Sequence, residues 1–560
     1  MQMNLTFKVL SVLIVGLPAS FSDSQNEESV NIKRPHIIFI VADDLGWNDV
    51  GFHGSDQIPT PNIDALAYSG LILNNYYVSP ICTPSRSALM TGKHPIHTGM
   101  QHGVLYGAEP RGLPLNEKIL PEYLQELGYS NHIVGKWHLG SYKKEYTPLY
   151  RGFESHTGYW TGHHDYYDHS AVETGFWGFD MRRGMDVAWD LHGKYSTDIF
   201  TDESVRIIRG HNSSRPLFLY IGHVAVHSAN PYSPLPAPDE LVAKFTTIEN
   251  FNRRKFAAIL TKLDESVGKV VAALQSSKML KDSLIVFTTD NGGPAAGFNS
   301  NAASNWPLRG VKNTLWEGGV RGAGLIWSTL LHPTNHVSKQ LMHISDWLPT
   351  LISAAQGDCS VLENIDGFDM WESLLSNTHS NRTEVLHNID SITGSAALTV
   401  GEWKIVQGTH YNGQWDGWYG PSGRPDGHIP AYNVTMIAHS LAGKAVEAAG
   451  RPINLDHVEA IRDEAGVKCF NGNLTITDSK PCFPLEAPCL FNIRDDPCEM
   501  NNLADRIPQI LAHLSKQLSK MNDTAVPPGN LPVDPRGNPD FWDHTFTNFG
   551  DYTVTVNNIS

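Results

Sequence analysis

The run His36-Ile37-Ile38-Phe39-Ile40-Val41-Ala42 is almost wholly β-branched or aromatic, and it stops abruptly at Asp43-Asp44. A strand without polar alternation has to be covered on both faces, which confines the chain to folds that hold a sheet between two layers. Leu217-Phe218-Leu219-Tyr220-Ile221 and Leu284-Ile285-Val286-Phe287-Thr288 have the same character. Amphipathic helical stretches such as Ile119 to Leu127 and Phe256 to Leu274 lie between the strands. This alternation predicts an α/β fold, a large and mostly parallel sheet flanked by helices. Such sheets bind ligands at the carboxyl ends of their strands. Asp43-Asp44 and Asp290-Asn291-Gly292-Gly293 both follow strands, so the two acidic clusters are expected to meet there despite their separation in sequence.

After about residue 390 the texture changes, with Gly, Pro, Asn and aromatic residues thickening between Gly408 and Asn433. Strand-like pieces such as Trp403-Lys404-Ile405-Val406 become short. We expect a larger N-terminal domain over 33–390 and a smaller C-terminal domain and tail over 391–560. The smaller one should be an antiparallel sheet with a late helix from about Ile507 to Met521, and the chain beyond Thr524 an ordered wrap. With 560 residues, 41% of them hydrophobic, there is material for both cores.

Residues 1–22 read as a signal peptide. Lys8 supplies the positive start, Val9 to Leu17 a short apolar core, and Ala19, Ser20 and Ser22 the small residues near a cleavage site. That core is too short to span a bilayer, and no later stretch is long and apolar enough to be a transmembrane segment. A secretory route predicts glycans at the Asn-x-Ser/Thr sequons Asn212, Asn381, Asn433, Asn473, Asn522 and Asn558, with lysosomal and extracellular destinations both open. The net charge of −16 argues against a nucleic-acid partner, which needs a basic face. Four of the six cysteines lie between Cys469 and Cys498 and can form two bridges in any of three connectivities. Their density fits an oxidising compartment.

The segment Cys82-Thr83-Pro84-Ser85-Arg86-Ser87-Ala88-Leu89-Met90-Thr91-Gly92 carries the most chemical information. Its Pro84, Arg86, Thr91 and Gly92 resemble the recognition sequence by which sulfatases have one cysteine converted to formylglycine (3-oxoalanine). Further segments follow in family order: Ala42-Asp43-Asp44-Leu45-Gly46-Trp47, Thr60-Pro61-Asn62-Ile63-Asp64, Gly135-Lys136-Trp137-His138-Leu139-Gly140, Thr289 to Gly293, Asn305 to Gly310, Leu315 to Gly322, His343 to Thr350 and Leu386 to Asp390. From about Pro35 to Leu503 the chain resembles the sulfatase family of the alkaline-phosphatase superfamily, most closely its arylsulfatase B-like (N-acetylgalactosamine-4-sulfatase-like) subgroup.

The resemblance implies the alkaline-phosphatase-like sulfatase fold, with the catalytic domain over 33–390, and a sulfuric ester hydrolase prepared by the formylglycine-generating enzyme. It implies one Ca²⁺ per subunit, held by Asp43, Asp44, Asp290 and Asn291 together with residue 82. The residues agree, because a set of oxygen donors without His suits a hard cation, Ca²⁺ or Mg²⁺, over zinc. Hydrated formylglycine has two hydroxyls on one carbon: one attacks sulfur, and deprotonation of the other expels sulfate and restores the aldehyde. The family pattern gives Arg86 the task of steadying that hydroxyl, Lys136 of binding a sulfate oxygen and His138 of acting as the base for release. His227 and Lys312 are assigned to the departing alkoxide. Gly135-Lys136 read alone suggests a phosphate loop, but the spacing from Gly128 is wrong and Trp137 stands where Ser or Thr is required. With Cys82 set aside for modification five cysteines remain, so at least one is unpaired or paired outside the chain.

Two departures bear on the substrate. Gly293 to Asn305 is longer than the subgroup leads us to expect, and Val226-His227-Ser228-Ala229-Asn230-Pro231 lacks the usual acidic residue and proline directly after the histidine. Both segments should border the pocket for the alcohol half. Trp306, Trp316 and Tyr159-Trp160 are candidates to stack on a sugar or aryl ring, with core packing the alternative for each. The leading reading is a type I sulfatase acting on carbohydrate sulfates such as N-acetylgalactosamine 4-sulfate, or on aryl sulfates. Small-molecule sulfates such as glucosinolates, phosphoester hydrolysis on the same fold, and a catalytically inactive sulfated-glycan-binding protein are the alternatives.

Overall fold

Alternate residues of the first strand enter opposite cores, as its composition requires. In β1 (His36–Ala42), Ile38, Ile40 and Ala42 join one cluster and Ile37, Phe39 and Val41 the other. The structure, a computed structural model, describes residues 34–420, 432–469 and 480–553. The expected signal peptide and the sequons at Asn473 and Asn558 lie outside the described residues.

The strands that follow are β2 (Leu71–Tyr77), β3 (Ser130–Lys136), β4 (Ser155–Tyr159), β5 (Ser170–Glu173), β6 (Phe176–Phe179), β7 (Arg182–Arg183) and β8 (Asp186–Val187). After them come β9 (Leu217–Gly222), β10 (Ser283–Thr289), β11 (Gly324–Ser328), β12 (His336–His343), β13 (Glu384–Asp390), β14 (Ser395–Val400), β15 (Trp403–Gln407) and β16 (Cys489–Asn492). A ten-stranded sheet has the order β12-β2-β11-β10-β1-β9-β3-β4-β7-β8. Its centre, β10-β1-β9-β3-β4, is parallel throughout, while β11 runs antiparallel between β10 and β2. Helices Pro61–Ser69, Ser196–Gly210 and Phe251–Ser276 cover the face of Ile38 and Ile40. Helices Cys82–Thr91, Leu120–Glu126 and Trp347–Ala354 cover the other.

The second sheet, β13-β14-β15-β16, is antiparallel and packs against the late helix, Pro508–Asn522, through Leu514 and Leu518. Helices Leu441–Ala448 and Val458–Ala465 instead complete the large core, where Ala442, Val446, Val458 and Ile461 join Ile63 and Leu66. The chain after Thr524 wraps the large body: Val526, Gly529 and Asp534 donate backbone N–H bonds to Ile96, Gly99 and Ala108 at 2.8, 2.9 and 2.8 Å. Cys469 pairs with Cys498 and Cys482 with Cys489, leaving Cys82 and Cys359 as free thiols.

The two sheets are joined by a buried charge network. Lys404 of β15 is fully buried, with Nζ 2.9 Å from Glu317 Oε1 and 2.8 Å from Glu499 Oε1. Tyr77 of β2 donates its hydroxyl to Glu317 Oε2 at 3.0 Å. Burial pushes the Glu499 carboxyl up to about 7, against the pull of Lys404. A carboxyl raised in this way favours the fold while protonated and loses that contribution as pH rises through its folded value. Lys404→Met should therefore lower the unfolding free energy by about 3–5 kcal/mol at about pH 8, and by distinctly less at about pH 5. Equal losses at both pH values in urea titrations would contradict this reading.

Candidate active site

Cys82 is the first residue of the helix Cys82–Thr91, entered from an extended Ile81. Arg86 follows one turn later and therefore shares its face. The other residues of the segment build the local structure. Ser85 Oγ accepts the Ser79 N–H at 2.8 Å, and Thr91 Oγ1 donates to Ser87 O at 2.7 Å. Gly92 closes the helix with φ 67°, a left-handed conformation that glycine adopts without penalty, and its N–H donates to Ala88 O.

β1 and β10 are neighbours with Ala42 opposite Thr289, so Asp43-Asp44 and Asp290-Asn291 leave the sheet together. Asp44 has φ 65°, an uncommon conformation for a non-glycine residue and one that gathers at functional sites. Cys82 Sγ lies 3.6 Å from Asp43 Oδ1. Ligand atoms of Asp43, Asp44, Cys82 and His227 all lie within 4.8 Å of one another. Asn291 Nδ2 donates to Asp44 Oδ1 at 2.7 Å, while Asn291 Oδ1 is buried with no hydrogen-bond partner among the described residues. An orphaned amide oxygen beside three buried carboxylates is a donor set that fits a hard divalent cation.

Three cations face the three carboxylates. Arg86 Nη2 donates to Asp290 Oδ2 at 2.8 Å and its Nη1 to the Tyr220 hydroxyl at 3.2 Å. Lys136 Nζ donates to Asp43 Oδ2 at 2.6 Å, and Lys312 Nζ lies 2.7 Å from Asp44 Oδ1. Gly135 sets up the approach of Lys136: its φ is 94°, and a Cβ there would stand 2.0 Å from Gly222 O on β9. Burial works to raise the Asp44 carboxyl, but the Lys312 ammonium leads the groups that outweigh it and hold it below its ordinary value. Asp290 is raised, by burial and then by Asp43, with Arg86 offsetting part of the effect. Burial pushes the Cys82 thiol up to about 12 against Lys136 and Lys312.

The two histidines expected near the sulfur are held by their hydrogen bonds in defined tautomers. His138, at φ 60°, has Nε2 2.9 Å from Leu105 O, so Nε2 carries the proton and Nδ1 is left as a buried lone pair without a partner among the described residues. Burial, then Lys136 and Arg86, hold its pKa well below the usual histidine range. His227 has Nδ1 2.6 Å from Ser228 O, which leaves its Nε2 as the lone pair, 3.5 Å from Asp44 Oδ2. Burial and Lys312 lower its pKa to about 3.

A cavity of about 360 Å³ opens from Cys82, His138, His227 and Lys312. Both unusual loops border it, through Asn299 and Ser300 and through Ser228, Ala229 and Pro231. Sequence reading missed His163 and Glu173, which line the same cavity, with His163 Nδ1 4.0 Å from Glu173 Oε1. Burial, opposed by hydrogen bonds from the Gly107 and Gly162 N–H groups, raises the Glu173 carboxyl to about 7. Tyr220, which holds Arg86, was missed too. None of the three stands in a segment whose spacing signals chemistry. Of the two roles open to the aromatic candidates, three take core packing: Trp316 packs between Arg309 and Phe491, Tyr159 against His164 and Phe200, and Trp160 beneath Arg182. All three are buried, and neither they nor the half-buried Trp306 are among the described residues lining the cavity.

The sulfatase family profile matches residues 35–357. The chain is 40% identical to arylsulfatase J of Mus musculus over 551 residues, covering 95% of this chain and 85% of that protein. It is 29% identical to N-acetylgalactosamine-6-sulfatase of Canis lupus familiaris over 399 residues, covering 66% of this chain and 71% of that one. Among solved structures, it is similar to Ps i-CgsB in complex with k-i-k-neocarrahexaose, with a TM-score of 0.68 and 25% identity over 92% of this chain and 100% of that chain. The chain belongs to the sulfatase family and is a sulfuric ester hydrolase.

Proposed function

We propose that this sulfatase cleaves carbohydrate sulfate monoesters, N-acetylgalactosamine sulfates being the nearest precedent, with formylglycine made from Cys82 and one bound Ca²⁺. The observation that carries the proposal is the placement of Cys82, at the start of a buried helix, 3.6 Å from Asp43 and in the lining of a cavity of about 360 Å³. Asp43, Asp44, Asp290 and Asn291 would hold the cation with residue 82, and its charge would balance the carboxylates and favour ionisation of a nearby hydroxyl. Formylglycine hydrate at position 82 would supply a hydroxyl nucleophile for sulfur and a second hydroxyl through which sulfate is released.

The remaining roles belong to side chains already in place. Arg86, fixed by Asp290 and Tyr220, steadies residue 82 from the next turn of the helix. Lys136 sits beside Asp43, within reach of a sulfate oxygen. His138 presents the Nδ1 lone pair needed by a base. Of the two groups assigned to the leaving oxygen, Lys312 carries the protons, because neutral His227 keeps its own on Nδ1. Burial disfavours the Lys312 charge, but Asp44 leads the groups that raise its pKa, so Lys312 acts by stabilising negative charge.

The cavity is lined both by apolar residues, Val104, Val172, Pro231 and Pro234, and by polar ones, His163, Glu173, Ser228 and Asn299. A pyranose has the matching two characters. The dog N-acetylgalactosamine-6-sulfatase and the neocarrahexaose complex of a relative support a carbohydrate substrate. The apolar part of the lining favours a second reading, aryl or small-molecule sulfates such as glucosinolates. The exposed sequons Asn212, Asn381, Asn433 and Asn522 and the two disulfides support a glycoprotein of the secretory pathway, lysosomal or extracellular, matured by the formylglycine-generating enzyme.

A panel of matched esters should show hydrolysis of N-acetylgalactosamine 4-sulfate, slower turnover of aryl sulfates, and negligible turnover of the corresponding phosphates. Preference for the phosphates would sink the proposal. Cys82→Ala should lower kcat by about 10⁴-fold or more while leaving unfolding free energy within about 1 kcal/mol. In calorimetry, Ca²⁺ should bind the metal-stripped protein, and at about 100 times its Kd it should add about 2.7 kcal/mol to the unfolding free energy. Asn291→Ala should weaken that binding by about tenfold or more; unchanged binding would remove Asn291 from the site.

A further inference from the structure

The roles given to His227 and Lys312 leave the departing oxygen without a proton donor. His227 keeps its proton on Nδ1 for Ser228 O, and Lys312, charged and paired with Asp44, stabilises negative charge without giving a proton up. A buried acid with no part in those roles lines the same cavity: Glu173, the last residue of β5, is 5% exposed. His163 joins it to the reacting groups. Its Nδ1 lies 4.0 Å from Glu173 Oε1, and its ring stacks on that of His227 with centroids 5.8 Å apart. Catalytic hydrogen bonds are often this long before substrate closes the site.

The fold holds this acid in place. Glu173 Oε1 accepts the Gly162 N–H at 2.9 Å and Oε2 the Gly107 N–H at 2.6 Å. The β5–β6 hairpin that carries it is tied to the segment after His227, one of the two that depart from the subgroup pattern. There Asn230 Oδ1 accepts the Val172 N–H at 3.0 Å, and Asn230 Nδ2 donates to Ser170 O at 2.8 Å. Burial raises the carboxyl to about 7; Asp180 acts in the same direction and Lys136 against it, while Tyr106 and the neutral His138 stand close by. Glu173 is therefore protonated below that value. Burial, then His227, Lys136 and Lys312, lower the His163 pKa to about 3, so its ring is neutral.

We propose that His163 is the general acid for the departing alcohol, with Glu173 behind it as the source of the proton. A protonated Glu173 donates to His163 Nδ1, which places the imidazole proton on Nε2, free to meet a substrate oxygen. As the bond between sulfur and the alcohol oxygen breaks, its electron pair stays on that oxygen, which takes the Nε2 proton. The Glu173 proton passes to Nδ1 in the same step. The alcohol leaves neutral, His163 ends neutral in its other tautomer, and Glu173 ends as a carboxylate that regains a proton from solvent. No charged imidazole forms, which suits a ring whose surroundings oppose its protonation.

Para-substituted phenyl sulfates differ in leaving-group basicity far more than in shape, so they separate proton donation from binding. His163→Gln keeps an N–H donor near the Nε2 position but has no second nitrogen to take the Glu173 proton. It should lower kcat/KM by about 10²-fold for 4-methoxyphenyl sulfate, the more basic leaving group, and by about tenfold less than that for 4-nitrophenyl sulfate. Any loss of folded protein scales both esters alike and leaves this difference intact. In the wild-type enzyme the ratio of kcat/KM for the 4-methoxyphenyl to the 4-nitrophenyl ester should fall as pH rises through about 7, and in His163→Gln it should not depend on pH. Equal losses for the two esters, or no loss, would overturn His163 as the acid, and a wild-type ratio constant from about pH 5 to about pH 9 would overturn Glu173 as its source. The proposal rests on sulfate ester cleavage in this cavity and not on which group attacks the sulfur. Undiminished turnover by Cys82→Ala would remove residue 82 as the nucleophile, and the leaving-group series would still decide the dyad.

Discussion

Three buried aspartates at the ends of two neighbouring strands determine how the rest of the site is built. Two like charges about 4 Å apart repel by about 4 kcal/mol at the effective dielectric of a protein. Asp43, Asp44 and Asp290 therefore need counter-charges, and each receives one from a different element: Lys136 from β3, Lys312 from the loop after Trp306, and Arg86 from the helix of Cys82. The Arg86–Asp290 pair helps to fix the position of Cys82, because Arg86 and Cys82 share one helical face. The three pairs also commit all three cations to carboxylates. Divalent charge shared by the same aspartates would free Arg86, Lys136 and Lys312 to face an anionic group, which links the cation site to the sulfate site by charge balance alone.

The parallel centre of the sheet makes this arrangement possible. Strands β10, β1, β9 and β3 all end on one side, so the residues after each of them converge on one place. β1 and β10 deliver the acids, β3 delivers Lys136 and His138, and the chain after β9 delivers His227. The second sheet is anchored through Lys404, and the loop after β15 brings Tyr411 to a second cavity that shares Ile81, Val104 and Tyr106 with the first.

Much of this was legible before any coordinates. A run such as His36 to Ala42 has a single physical explanation, burial on both faces, and an acid pair at its end points to a ligand crevice. The order of segments around Cys82 was specific enough to identify the family. Side-chain pairing was not legible, because which lysine meets which aspartate depends on loop paths that spacing does not encode. His163, Glu173 and Tyr220 were hidden for the same reason, since they reach the site through the approach of β4, β5 and β9 rather than through any local pattern. For Trp316, Tyr159 and Trp160 stacking and core packing were both open, because a large aromatic near a functional segment can as well be the packing that supports it, and their burial selects packing. The disulfides were open among three pairings, and only the three-dimensional path chose Cys469–Cys498 and Cys482–Cys489.

The central claim is that the side chain at position 82 is converted from a thiol to an aldehyde in the working enzyme. Mass spectrometry of the tryptic peptide containing residue 82, from protein expressed in a cell that has the formylglycine-generating enzyme, tests it most directly. The account predicts a peptide in which the CH₂SH of Cys82 has become CHO or its hydrate. A peptide carrying only unmodified cysteine or a disulfide at that position would contradict it.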